Sequence, residues 1–373
     1  MEENKKNKIP NVPNLRFSGF EPNYQKTKIG KCLKIKSGQD QKNVCCENGK
    51  YNIYGTGGVI GTTNTFLYDK ESVGIGRKGT IDKPFYFDEP FWTVDTLFYS
   101  VINKGFSPKY IYYLFQTINW KKYNSSTGVP SLTSSTIESI DVYITSLKEQ
   151  CKIAEFLTLI DVRIDTQNKI IEEYQALKNC IFDAIILESR KIGTCKINKI
   201  IEEYNVKTTI DNEYPVLSST ASGIYFQNEY FNKEAASENT TGYKCVPMGY
   251  CTYRSMSDTG RFYFNIQSIT DVGIVSPAYP VFSVIEDSAL FLVSVLNSDK
   301  TIINEILKLK AGGTRFSLPF KKLVELEVPW PDHQTRKHFM KMIRNIIQKI
   351  DLEQKILAKY TDQKNYLLNN MFI

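Results

Sequence analysis

Histidine is nearly missing from this 373-residue chain: it occurs twice, at His333 and His338. Five residues apart, the pair has the wrong spacing for one face of a zinc-binding helix, and any Ser-His-Asp triad would have to use one of the two. Phosphate-binding signatures are missing as well. No G-x-x-x-x-G-K-[ST] run occurs, and no N/D-P-P-Y/F run of the kind that holds an amine for methyl transfer. The eight cysteines include no C-x-x-C spacing, and Cys45-Cys46 are adjacent, so free thiols in a reducing cytoplasm are expected. No stretch of about 18 apolar residues is present, which argues against a membrane-spanning helix. Met1 to Pro10 is polar and lysine-rich, unlike a secretory signal.

What is present is a globular composition, 42% hydrophobic and 23% charged, with a net charge of +7. The excess is concentrated early. Residues 1–147 hold 19 Lys and Arg against 13 Asp and Glu. A positive face there would attract a polyanion.

The dominant pattern is a long apolar repeat that occurs twice. Ile153, Leu157, Ile160, Ile164, Ile171, Tyr174, Ile181 and Ile185 follow one another in steps of three and four, interrupted at Gln167 and Lys178. Displaced by 186 residues, Phe339, Ile343, Ile346, Ile350, Leu357, Tyr360, Leu367 and Met371 keep the same rhythm, interrupted at Glu353 and Lys364. A sustained 3.5-residue period marks helices that pack along a seam, and a repeat of half the chain marks two equivalent units. The division expected is a first domain over 1–147, a helix over 148–190, a second domain over 191–332 and a second helix over 333–373. Residues 1–14 read as a loose leader. Lys178 and Lys364 read as residues that register the seam.

Between the helices the spacing predicts short strands at Tyr51–Tyr54 and Ser72–Gly76 and helical character over Pro108–Lys122. The cluster Gly55-Thr56-Gly57-Gly58-Val59-Ile60-Gly61 is not G-x-G-x-x-G and no long helix follows, so it reads as a turn or a place of close backbone approach. The second half carries ordered echoes. Tyr253-Arg254-Ser255 aligns with Gly76-Arg77-Lys78, Phe262-Tyr263-Phe264 with Phe85-Tyr86-Phe87, and Gly313 to Leu318 with Gly128 to Leu132.

One decoy needs weighing. Pro331-Asp332 followed by Glu353-Gln354-Lys355 fits a PD…ExK metal-nuclease pattern, but Glu353 and Lys355 fall inside the repeated helix, where a chance match is favoured.

The run Glu149-Gln150-Cys151-Lys152-Ile153-Ala154-Glu155-Phe156-Leu157-Thr158-Leu159-Ile160-Asp161, with Leu15 to Phe20, Ile35 to Gly38 and Tyr54 to Gly58, resembles the specificity subunits of type I restriction-modification systems. The second half departs from the pattern, with Asp332-His333-Gln334 in place of the Glu-Gln entry. The resemblance implies an α/β (α+β) chain in which two target-recognition domains alternate with two long antiparallel coiled-coil helices. It implies a non-catalytic, cytoplasmic protein with no cofactor of its own. Its partners would be double-stranded DNA, two methyltransferase subunits that bind S-adenosylmethionine and, in a full restriction complex, two restriction subunits that use ATP and Mg. Each domain would read half of a split site. A helix of about 38 residues spans roughly 55–60 Å, or about 16–17 base pairs, which suits two half-sites and an unread gap.

Affinity for DNA comes from Lys and Arg on phosphates, and specificity from a few side chains on base edges. The candidates are Lys36, Ser37, Tyr54, Thr56, Arg77 and Lys78 in the first domain, and Ser218, Ser219, Thr220, Arg254, Ser257 and Arg315 in the second. Arg77 and Arg254 rank first, because each follows a strand at aligned positions of the repeat and arginine can take guanine bidentately. The readings from other classes are a metal nuclease using Asp332, Glu353 and Lys355, and a coiled-coil scaffold that binds protein alone.

Overall fold

The structure is a computed structural model that describes residues 11–21, 23–230, 239–308 and 316–373. Arg315, with Gly313 and Thr314, lies outside the described residues, as does Met1–Pro10. The chain divides into two compact units, one made of residues 1–168 and 355–373, the other of 169–354. The expected boundaries followed helix ends. Each unit includes part of both long helices, which run over Leu147–Ile192 and His333–Met371.

In the first unit a four-stranded antiparallel sheet has the order Leu33–Ser37, Leu97–Ile102, Ser72–Gly76, Phe85–Phe87. Ser72–Gly76 is buried along its whole length, as its run of small and β-branched residues allows. A second sheet holds the hairpin Tyr51–Gly55 and Gly58–Thr63. The helix Pro108–Thr117 covers the core. It starts where Ser107 accepts a bond from the Tyr110 N–H and Pro108 takes the first turn, where no N–H is needed. The start of the first long helix and the end of the second pack here antiparallel: Ile153, Ala154, Leu157 and Ile160 share one core with Leu367, Leu368 and Met371. Lys364 reaches across to Asp161 at 2.7 Å, the registering role expected of it. The apolar stripe is buried or half-buried, while Leu159 and Val162 lie off it and are exposed.

The second unit repeats the plan. Its four-stranded sheet has the order Ile201–Glu203, Val281–Val284, Cys251–Tyr253, Phe264–Ile266, and the helix Ala289–Ser298 takes the place of Pro108–Thr117. Ile185 and Ile186, near the end of the first long helix, share a core with Met340 and Ile343 from the start of the second.

The unusual entry into the second helix has a structural counterpart in the first. Buried Gln150 accepts from the Ser107 N–H (3.0 Å) and donates to the Thr145 carbonyl (2.8 Å). Displaced by the 186-residue repeat, buried Arg336 donates to the Ser288 hydroxyl (3.1 Å) and to the Pro331 carbonyl. Both side chains therefore fasten the start of a long helix to the residue that precedes the domain helix. Asp332 caps the second helix, accepting from the Thr335 N–H at 3.0 Å.

Candidate nucleic-acid interface

In the first unit the segment Thr93–Thr96 joins the ends of three strands. Gln39 N–H donates to the Thr93 carbonyl (2.9 Å), Val94 N–H to the Tyr54 carbonyl (3.0 Å), and Arg77 N–H to the Thr96 carbonyl (2.8 Å). Phe98 pairs with Ser37 on one side and with Ile75 on the other, so the ends of both flanking strands lie together. Thr56 joins them, because its hydroxyl lies 3.6 Å from where a side chain on Gly79 would begin. Ser37, Thr56, Arg77 and Lys78 thus gather at one end of the sheet, with exposed Lys36 one residue back along its strand. Tyr54 is half-buried. Its ring meets Phe87 edge-on at 4.9 Å and Phe85 at 6.3 Å, inside an aromatic cluster. Arg77 is half-buried, with its guanidinium 5.8 Å from the Phe98 ring centre and Nη1 3.4 Å from the Asp95 carbonyl, while Lys78 is exposed.

In the second unit the five described candidates, Ser218, Ser219, Thr220, Arg254 and Ser257, all line one cleft of about 760 Å³. They come from two distant parts of the chain, the hairpin Leu217–Phe226 and the residues that follow Cys251–Tyr253. Arg254 is exposed on the wall. Ser218 and Ser219 are buried in the floor, and Ser219 is already engaged: its hydroxyl accepts from Asn265 Nδ2 at 2.8 Å and points at the Thr252 carbonyl at 3.5 Å. Asn265 also donates to the Thr220 carbonyl (2.9 Å), so it ties the hairpin down.

Sequence reasoning missed Arg261, Tyr263 and Tyr279, which line the same cleft. Arg261 donates to the Asn297 carbonyl and lies 5.7 Å from the exposed Tyr263 ring. No local pattern marks these residues, because only the fold brings them to the cleft.

The alignment of the two arginines needs correcting. In the first unit Leu132 N–H donates to the carbonyl of Arg77 (2.9 Å); in the second, Leu318 N–H donates to that of Ser255 (2.8 Å). Strand register agrees. Leu33 pairs with Ile102 as Ile201 pairs with Val284, and counting back along the sheet sets Gly76 against Arg254. Arg77 therefore corresponds to Ser255. A slip of one residue moves a side chain to the opposite face of a strand, so the two arginines are not equivalents. The aromatic echo is shifted too, since the strand covers Phe264–Ile266 and not Phe262–Phe264.

The nuclease pattern does not assemble. Asp332 is spent on the helix cap, and Glu353 sits 21 residues further along the same helix, about 30 Å away at ~1.5 Å per residue. Glu353 instead pairs with Lys349 at 2.7 Å. Among the described residues no group of three or more His, Cys, Asp or Glu could hold a metal ion, and no helix is long and apolar enough to cross a membrane.

The profile of the type I restriction modification DNA specificity domain matches residues 22–176. Two Mycoplasma pneumoniae proteins described as type I specificity subunits are each 28% identical over 95 residues, or 26% of this chain. The matched stretch spans 28% of the length of one, S.MpnORF89P, and 64% of the other, S.MpnORF289P C-terminus. The crystal structure of a type I restriction-modification S subunit from M. genitalium superimposes with a TM-score of 0.65 at 18% identity, covering 97% of this chain and 99% of that one. Residues 22–176 are thus similar to the type I restriction modification DNA specificity domain, and the chain shares the fold of the M. genitalium S subunit.

Proposed function

We propose that this chain is the DNA-recognition subunit of a type I restriction-modification complex. Each unit reads one half of a bipartite site, and the long helices set the unread gap and dock two methyltransferase subunits. The observation that carries this reading is the cleft of the second unit, where hydroxyls and Arg254 converge from separate segments. Mixed hydroxyl and guanidinium groups at a concave surface suit base edges and phosphates together. At the strand ends of the first unit, Arg77 and Lys78 supply the corresponding positive charge.

The chain itself is read as non-catalytic. S-adenosylmethionine, and ATP with Mg where restriction subunits join, belong to its partners. The test is a methylome. The chain is co-expressed with its partner adenine methyltransferase, and methyladenine is mapped by single-molecule sequencing. A split motif with a fixed gap, seen only when this chain is present, is expected. Exchanging residues 191–332 should change one half alone, and Arg254→Ala should weaken or relax that same half by ~1–3 kcal/mol. Methylation unchanged without the chain would reject the reading in favour of a protein-binding scaffold.

A further inference from the structure

The hairpin Tyr51–Gly55 and Gly58–Thr63 of the first unit turns over two residues, Thr56 and Gly57. Its tip is stripped of bulk. Gly57 and Gly58 carry no side chains, and a Cβ at either would meet nothing within 4 Å, while Gly55 makes room for the Ile60 side chain, 3.3 Å from where its own Cβ would lie. Against that bare backbone stand two β-branched apolar residues, Val59 at 55% and Ile60 at 54% exposure. In a regular strand, neighbours point to opposite faces. Here Tyr54 pairs with Val59 and Ile53 with Gly61, so Ile60 is an extra, bulged residue, and a bulge re-aims side chains. Scattered exposed apolar residues need no explanation, but an adjacent pair on a glycine-bared tip is a shaped feature. The tip is also continuous with the proposed reading face, since Thr56 rests beside Gly79, next to Arg77 and Lys78.

We infer that Val59 and Ile60 are specificity residues that contact thymine 5-methyl groups in the major groove of the first half-site. The inference rests on the DNA-recognition reading above and names the chemistry read. A two-stranded ribbon fits the major groove, and the thymine methyl is the apolar feature displayed there. The glycines let the ribbon backbone approach the base edges, and Lys78 holds the adjoining phosphates. The second unit builds the same two-residue hairpin at Leu217–Thr220 and Gly223–Phe226, but Ile224 and Tyr225 follow its turn. The two half-sites therefore meet different tips.

The experiment uses the full chain assembled with its methyltransferase on duplexes carrying the mapped motif. Each thymine of the first half-site is replaced in turn by deoxyuridine, which lacks only the methyl group. For the wild type, one or two of these replacements should weaken binding roughly fourfold each, the factor corresponding to about 0.8 kcal/mol for one buried methyl-sized group. The V59S/I60S variant removes every side-chain methyl group from these two exposed positions and leaves the backbone pairing of the hairpin in place. It should bind thymine and uracil duplexes equally, at the level of the wild type on uracil, with the second half-site read as before. Wild-type indifference to uracil at every position, a variant that still distinguishes the two bases, or a first half-site without a T·A pair overturns the inference. A complex with no defined motif at all would instead be failure of the recognition reading, and would take the inference with it.

Discussion

Arg16 holds a carboxylate that has no access to water. Glu149 is fully buried at the start of the first long helix, and Arg16 donates to both of its oxygens, at 2.7 and 2.8 Å. Thr145 adds a third bond through its hydroxyl. The Arg16 side chain is 12% exposed, so the pair is poorly screened. The same segment of chain is pinned at its other end, where Leu15 N–H donates to the Asn370 carbonyl at 2.8 Å. Removing one partner of a buried pair strands the other charge, at a cost of about 3–5 kcal/mol. Replacing both by apolar residues of similar size removes the desolvation penalty together with the attraction, and is often close to neutral. Arg16→Met should therefore destabilise the first unit by ~3–5 kcal/mol, and the double variant R16M/E149M should recover most of that loss. For a domain of 150–250 residues, each kcal/mol moves Tm by roughly 2–4 °C, so the single variant should melt about 6–20 °C lower. The chain has three tryptophans, of which Trp92 and Trp120 lie in the first unit and Trp330 in the second. In a Trp330→Phe background, fluorescence follows the first unit alone. A single-variant cost below about 1 kcal/mol, or a double variant no better than the single, would refute the reasoning.

Asn265→Ala removes the two bonds that tie the floor of the cleft, at Ser219 and Thr220. Binding to the second half-site should weaken by ~1–3 kcal/mol while the first half-site is read unchanged, as measured on duplexes mutated in one half at a time. The Thr335 N–H and hydroxyl, bonded to Asp332, hold its carboxyl below the usual carboxylate value of 3.8. A depressed folded pKa contributes stability that is fully present above the unfolded pKa and lost as pH falls through the folded one. The stability difference between wild type and Asp332→Asn should therefore shrink as pH falls below about 4 and vanish once the carboxyl is protonated in the folded as well as the unfolded state; a difference that stays constant as pH falls from about 5 through this range would count against the cap. Burial pushes the thiol of Cys32 up to about 11 and that of Cys251 up to about 12, whereas Cys45, Cys151 and Cys180 are exposed. Under native conditions at pH 8, a thiol reagent should label the exposed three quickly and the buried two only on unfolding, as peptide mapping would show.

The sequence alone determined the elements whose evidence is local. The 3.5-residue stripe placed both long helices within a few residues of their ends, because every turn of a seam helix must present an apolar side chain. Ser72–Gly76 was legible as a strand for a similar reason, and the Glu149-Gln150 run pointed to the family because it opens the first helix. Tertiary structure decided what depends on residues far apart in sequence. The one-residue slip that separates Arg254 from Arg77 is invisible in aligned letters, since strand register is settled by pairing across the sheet. The shared role of Gln150 and Arg336 is hidden too, because an amide and a guanidinium look unrelated until both are seen bonded at the same two places. The cleft itself is written in no single stretch: Ser218, Arg254 and Tyr279 meet because strand ends from distant segments converge, and that convergence is a property of packing.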